Sequence, residues 1–158
     1  MKFLLAVVGH KQPEWVEKAC QEYLKRLPRE ISVQLCEVKP EPREGKTREQ
    51  LLLAEGARLR QNLKSLPGAR IVALDEKGDD LTTRQFAGRL QDWLLQGENV
   101  AFLIGGADGL EAGLKAMARD TIRLSSLTLP HGLARVLLCE QLYRASSLLH
   151  GHPYHREG

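Results

Sequence analysis

Short apolar runs alternate with stretches of helical spacing along this chain. Residues 3–8 are apolar without interruption, which predicts a buried first strand. Residues 14–27 place Trp15, Ala19, Tyr23 and Leu27 at helical spacing, with Pro13 suited to a helix start and Pro28 to a stop. Within 31–38, Ile31, Val33 and Leu35 alternate with polar neighbours, a strand pattern. Two prolines, a glycine and mixed charge mark 39–46 as a surface loop. Thr47 is placed to cap a helix that carries Leu51, Leu52, Ala54 and Leu59 to about Leu63. Residues 69–74 predict another strand and 75–80 a charged turn containing Gly78. Thr82 or Thr83 caps a helix through Phe86, Leu90 and Leu94. Residues 100–104 form a short apolar strand that ends in Gly105-Gly106. A weaker helix over 110–118 and a short strand over 121–124 follow. The strongest helix spans 131–149, and its apolar residues cover more than one narrow stripe. Residues 150–158 read as a polar tail.

Regular alternation of strand and helix predicts an α/β fold with a mostly parallel sheet and helices on both faces. At 158 residues a single domain over 1–158 is expected. Such a length buries a core without disulfides or metal. The first apolar run is too short to span a bilayer and lacks a cleavage pattern, so a cytoplasmic protein is expected. Cys20, Cys36 and Cys139 are too scattered for a zinc ribbon or a secreted framework; buried thiols in a reducing compartment fit better. A net charge of +3 admits nucleic acid without requiring it. RNA held by so modest a charge needs help from shape or a preassembled surface.

In parallel sheets ligands sit beyond the carboxyl ends of the strands. The loops to search follow Leu74, Ile104 and Leu124. After Ile104 comes Gly105-Gly106-Ala107-Asp108-Gly109. Three glycines in five residues allow a tight turn and close backbone approach to a ligand; a plain strand-to-helix turn is the alternative. Neither the G-x-G-x-x-G dinucleotide fingerprint nor a P-loop is present. After Leu124, the run Ser125, Ser126, Leu127, Thr128, Leu129, Pro130 and His131 alternates hydroxyls with leucines. It suits a flat heterocycle, and equally an ordinary helix entry with Pro130 at its start. Four of the five histidines lie after residue 130, but His150, His152 and His155 sit in a tail with no supporting carboxylate or thiol pattern, so no metal site is expected. Tyr154, His155 and Arg156 suit base stacking and phosphate contact. Hydrolase signatures such as G-x-S-x-G and H-E-x-x-H do not occur.

Four blocks follow one another along the last third of the chain. They are 102–110 (FLIGGADGL), Leu124-Ser125 with 127–131 (LTLPH), 140–145 (EQLYRA), and 153–156 (PYHR). In that order they resemble the SPOUT-class large-subunit ribosomal RNA methyltransferase H family, and the resemblance spans the whole chain. It implies a C-terminal trefoil knot, which periodicity does not reveal. It further implies an S-adenosyl-L-methionine site in that knot, a homodimer, and methylation of N3 of a pseudouridine in 23S ribosomal RNA on assembled ribosomes. Carried onto this chain, Leu74, Gly105, Gly106, Leu124, Ser125, Ser126, Leu127, Thr128, Leu129 and Pro130 would hold the cofactor. His155 and His131 are candidates for the general base that removes the N3 proton. Arg144 and Arg156 would hold phosphate or the developing oxyanion, and Tyr154 would stack on a flipped nucleotide. Gly132 departs from the family pattern and is expected to loosen the first turn of its helix. Two rival readings are a non-catalytic ribosome-associated factor and a nucleotide-binding oxidoreductase.

Overall fold

The computed structural model describes residues 1–151 and residue 154. In chain order these form β1 (Lys2–Val8), α1 (Glu14–Leu24), β2 (Ser32–Val38), α2 (Arg48–Leu63), β3 (Arg70–Asp80), α3 (Thr83–Leu95), β4 (Val100–Ile104), α4 (Ala112–Met117), β5 (Asp120–Arg123) and α5 (His131–Leu149). The strands make one parallel sheet in the order β2-β1-β4-β3-β5. The expected α/β architecture is present, and helices cover both faces.

The uninterrupted apolar runs of β1 and β4 follow from this two-sided burial. Phe3, Leu5 and Val7 join Val72 and Phe102 beneath α1, α3 and α5. Leu4, Ala6 and Val8 join Ala101 and Leu103 against Leu59 of α2 and Leu114 of α4. Phe3, Phe102 and Trp93 stack edge to face, with centroids 5.8 and 6.0 Å apart. Each such side chain contributes about 1.5–3 kcal/mol on burial. Thr47 caps α2 and Thr82 caps α3, each through a reciprocal box with a glutamine three residues on.

The charged stretch 75–80 is not the expected turn. β3 continues to Asp80 because Asp79 and Asp80 pair with Ile122 and Arg123 after an irregularity at Leu74. Arg89 holds Asp79 and Arg123 holds Asp80, both at 2.8 Å. Gly78 permits this contact, since a β-carbon there would stand 2.6 Å from the Ile122 carbonyl carbon. α4 is also shorter than the expected 110–118, although Leu110 and Leu114 are buried.

β5 lies at the sheet edge beyond β3, yet α5 starts beside β1. A β-carbon on Gly9 would meet Arg135 Nη2 at 2.8 Å and His131 Nε2 at 3.0 Å. Segment 124–130 must therefore cross the carboxyl ends of β3 and β4. α5 then runs back between α1 and α3 to the amino edge, where His150 meets Glu30 just before β2. Its broad apolar coverage is largely spent inside the chain: Leu138, Cys139, Leu142 and Ala145 are buried against the sheet. Gly132 does not loosen the first turn. It is buried, and a β-carbon there would lie 2.6 Å from Gln12 Oε1 and 3.1 Å from Val16, so the small residue lets α5 close on α1. Cys20 and Cys139 are buried as expected, while Cys36 on the edge strand β2 is half-buried.

Candidate functional site

The register places Leu74, Ile104 and Ile122 side by side at the carboxyl edge of the sheet. Leu74, at the irregularity within β3, therefore stands beside the points where Gly105 leaves β4 and Leu124 follows β5. Three expected cofactor segments converge there, although they lie far apart in sequence.

The glycine loop is closed on itself. Gly109 donates its amide to the Gly106 carbonyl at 3.0 Å and adopts φ 84°. A β-carbon on Gly105 would stand 2.3 Å from the Gly109 carbonyl. From the α2 side, Arg43 donates twice to the Asp108 carboxylate (2.7 and 3.3 Å) and Arg48 donates to its carbonyl (3.0 Å). The Arg43 hydrogen bond holds the Asp108 carboxyl below the usual range. Gly106 rests on Val8 at the end of β1 and faces the buried Glu55 carboxylate. Glu55 in turn accepts the Glu41 amide at 3.0 Å, which anchors the loop that carries Arg43.

Ser126, Leu127 and Thr128 are exposed, and Leu127 reaches 78%. The Leu127 amide donates to Ser125 Oγ at 2.9 Å. The amides of Ser126, Thr128 and Leu129 donate to no protein acceptor among the described residues. Free main-chain donors flanked by half-buried Leu74, Leu124 and Leu129 match the needs of a flat, hydrogen-bonding heterocycle such as adenine. The expected cofactor residues thus fit that group by the chemistry of their donors.

His131 opens α5 after Pro130, which takes the cap position with φ −64°. Its Nε2 is buried without a partner and faces Gly9 and Arg135, not an open cleft. Burial, then the charge of Arg135, lowers its pKa, so the ring is neutral near pH 7. Arg135 is 1% exposed. Its Nη1 lies 3.3 Å from Glu37, while Nε and Nη2 have no acceptor. Arg135 was not singled out from the sequence. A signal existed: it is a lone cation on the stripe continued by Leu138, Leu142 and Ala145. Asp108, Arg43 and Arg48 left no comparable signal, because their pairing spans about sixty residues of chain.

Arg144 and Tyr154 do come together. Arg144 sits over the Tyr154 ring at 4.8 Å, and both donate to Glu140 Oε1, at 2.7 and 3.1 Å. Tyr143 packs on the same ring at 4.5 Å. Burial, then Glu140, raises the Tyr154 phenol to about 12, so it stays protonated. With Tyr23, Thr83, Val136, Leu137 and Gln141 they line an open cleft of about 800 Å³. This cleft is not beside the cofactor segments. Arg144 lies roughly 20 Å along α5 from His131. His155 and Arg156 lie outside the described residues. Among the described residues no group of His, Cys, Asp and Glu could hold a metal ion, and no helix is long and apolar enough to cross a membrane.

Residues 1–155 match the family described as "Predicted SPOUT methyltransferase". The chain is 60% identical over 158 residues to the ribosomal RNA large subunit methyltransferase H of Dechloromonas aromatica, covering all of both chains. It is 55% identical over 157 residues to that of Nitrosospira multiformis, with 99% of each chain covered. In fold it is similar to a probable methylase family protein from Haemophilus influenzae, with a TM-score of 0.57 at 14% identity; the match covers 97% of this chain and 69% of the other.

Proposed function

The chain belongs to the SPOUT methyltransferase family, and from that premise we propose that it transfers a methyl group from S-adenosyl-L-methionine to N3 of a pseudouridine in 23S ribosomal RNA. The substrate is the assembled ribosome, and the setting is the cytoplasm. The observation that carries this reading is the match over the entire chain to relatives named ribosomal RNA large subunit methyltransferase H. The single domain spans 1–158. Passage of 124–130 across the ends of β3 and β4, with α5 returning between α1 and α3, supports the trefoil knot.

When bound, the cofactor supplies a methyl group on a sulfonium. The chain positions the reactants around it, which is where most of the rate for an in-line displacement arises. Main-chain donors of Ser126, Thr128 and Leu129 hold the heterocycle, and Leu74, Leu124 and Leu129 cover it. Gly105, Gly106, Ser125, Leu127 and Pro130 complete the wall. The N3 proton goes to a general base. His155 is preferred over His131, whose Nε2 is covered by Gly9 and Arg135. Arg144 and Arg156 hold phosphate or the oxyanion, and Tyr154 contributes the aromatic surface.

The same reading requires a homodimer. Arg144 stands too far along α5, with Tyr154 packed against it, to serve the cofactor segments of its own chain, so a second copy must present them. Trp15 (58% exposed) and Leu133 (36%) support this, since they are apolar residues at the starts of two helices that pack together at Gly132.

Two measurements test the proposal. Mass spectrometry of ribosomal RNA from cells with and without the protein should show loss of one N3-methylpseudouridine. Calorimetry should show S-adenosylmethionine binding; no binding would favour a non-catalytic ribosome factor, and binding of a nicotinamide cofactor instead would favour an oxidoreductase. Unchanged turnover on ribosomes after His155→Ala would remove that residue as base.

A further inference from the structure

Most basic side chains of this protein are already engaged. Arg43 and Arg48 pair with Asp108, Arg60 with Glu111, Arg70 with Glu98 and Asp120, and Arg89 with Asp79 and Asp120. Lys11 and Lys39 differ: both are exposed, and neither makes an ion pair or side-chain hydrogen bond among the described residues. They flank one open cleft of about 630 Å³ at the carboxyl ends of β1 and β2, with Gly9, His10 and Pro40. The Gly9 amide donates to the Val38 carbonyl at 3.0 Å, which ties the two strand ends into a fixed floor.

Beneath that floor lies the Arg135 guanidinium, 1% exposed, with Nη2 directly under Gly9 and two nitrogens lacking acceptors. Glu37 on the cleft wall balances it in part at 3.3 Å, and Glu17 is the other acid on the lining. A buried, under-compensated cation gives the floor positive potential that water screens poorly. The cleft also adjoins the cofactor segments. Gly106 packs on Val8, and Gly9 is the next residue.

We infer that this cleft holds the phosphodiester backbone of the RNA strand beside the target nucleotide, with Lys11 and Lys39 contacting phosphate over the Arg135 charge. The inference rests on the ribosomal RNA methyltransferase reading.

The test compares wild type with Lys11→Ala/Lys39→Ala on ribosomes isolated from cells lacking the modification. A Lys2→Ala/Lys64→Ala control removes the same charge at the amino edge. Binding to ribosomes is measured by sedimentation at several salt concentrations, and methyl transfer in parallel. The cleft variant should bind at least tenfold more weakly at 0.1 M salt, and its log–log salt slope should fall by about 2, one per lost phosphate contact. Lys11→Arg/Lys39→Arg should restore both, and S-adenosylmethionine affinity should not change. Equal loss in the control, or an unchanged salt slope, overturns the inference. Weaker S-adenosylmethionine binding would make the cleft a cofactor subsite, and a changed oligomeric state would make it a subunit contact; either result overturns it too. If wild type binds ribosomes but transfers no methyl group, the methyltransferase reading fails while the binding arm still decides the cleft.

Discussion

Replacing Gly78 with alanine separates two accounts of residues 75–80. If they formed an open turn, alanine would be neutral or would stabilise by about 0.4–1 kcal/mol, because Gly78 does not use positive φ and alanine restricts the unfolded chain. The structure demands the opposite. The new β-carbon would stand 2.6 Å from the Ile122 carbonyl carbon and 2.7 Å from both the Ile122 nitrogen and the Thr121 carbonyl carbon. All three are backbone atoms of β5, and none can rotate away. Overpacking of this kind costs about 1–3 kcal/mol. With three backbone overlaps the upper end applies, and the entropic gain offsets less than half of it. The net loss is about 2 kcal/mol, or roughly 4–8 °C in Tm for a domain of this size. Relief requires β5 to shift. Segment 124–130 follows it directly, so S-adenosylmethionine affinity should fall as well. Thermal unfolding with and without cofactor measures both effects. A variant whose Tm equals or exceeds wild type would refute the continued β3–β5 pairing.

Other perturbations probe the neighbouring groups. Arg135→Met should raise stability by about 1–3 kcal/mol, because two unpaired buried donors disappear while Glu37 keeps access to water; chemical denaturation reads this, and a destabilised variant would show that Arg135 is better satisfied than its geometry indicates. The same variant should bind ribosomes more weakly, which makes the charge a functional cost. Asp108→Asn should weaken S-adenosylmethionine binding by no more than about fivefold, since Arg43 is largely open to water, and should flatten its salt dependence; calorimetry at two salt concentrations decides. His131 has a lowered pKa in the folded state, so the unfolded chain takes up a proton that the folded chain resists. Its stabilisation is complete above about pH 6.5 and declines as pH falls below that value. His131→Gln should reduce the slope of stability against pH between about 7 and 5.5; an unchanged slope would assign it to other groups.

The elements were legible wherever local pattern and burial agreed. β1 and β4 are apolar on both faces because both faces are covered, and Thr47 caps its helix as its residue type predicts, while the reciprocal box with Gln85 selects Thr82 over Thr83. Legibility failed where distant chain decided the outcome. Asp79 and Asp80 read as a turn because six charged or glycine residues carry no strand signal; β5 and two arginine pairs override them. The candidate site divides in the same way. Convergence of Leu74, Gly105 and Leu124 follows from a parallel sheet, so the sequence contains it. The distance between Arg144 and those segments depends on where α5 starts and which way it runs, and no local pattern encodes that.

The glycines of the 105–109 loop have a packing role inside the protein. Three glycines in five residues suggested close approach of a ligand to the main chain. The space that a side chain would take at Gly105 is filled by Gly109, and at Gly106 by Val8 and Glu55. These glycines let protein approach protein. The run from Ser126 to Leu129 contains no glycine, and its Ser126, Thr128 and Leu129 amides donate to no protein acceptor among the described residues, so the proposed ligand contact falls there. In that proposal recognition relies on main-chain groups held between the end of β5 on one side and Pro130 on the other. The glycine loop, clamped by Arg43 and Arg48, gives that run a fixed wall to face. The contribution proposed for it in cofactor binding is therefore rigidity, delivered through an ion pair that links the β2–α2 loop to the carboxyl edge.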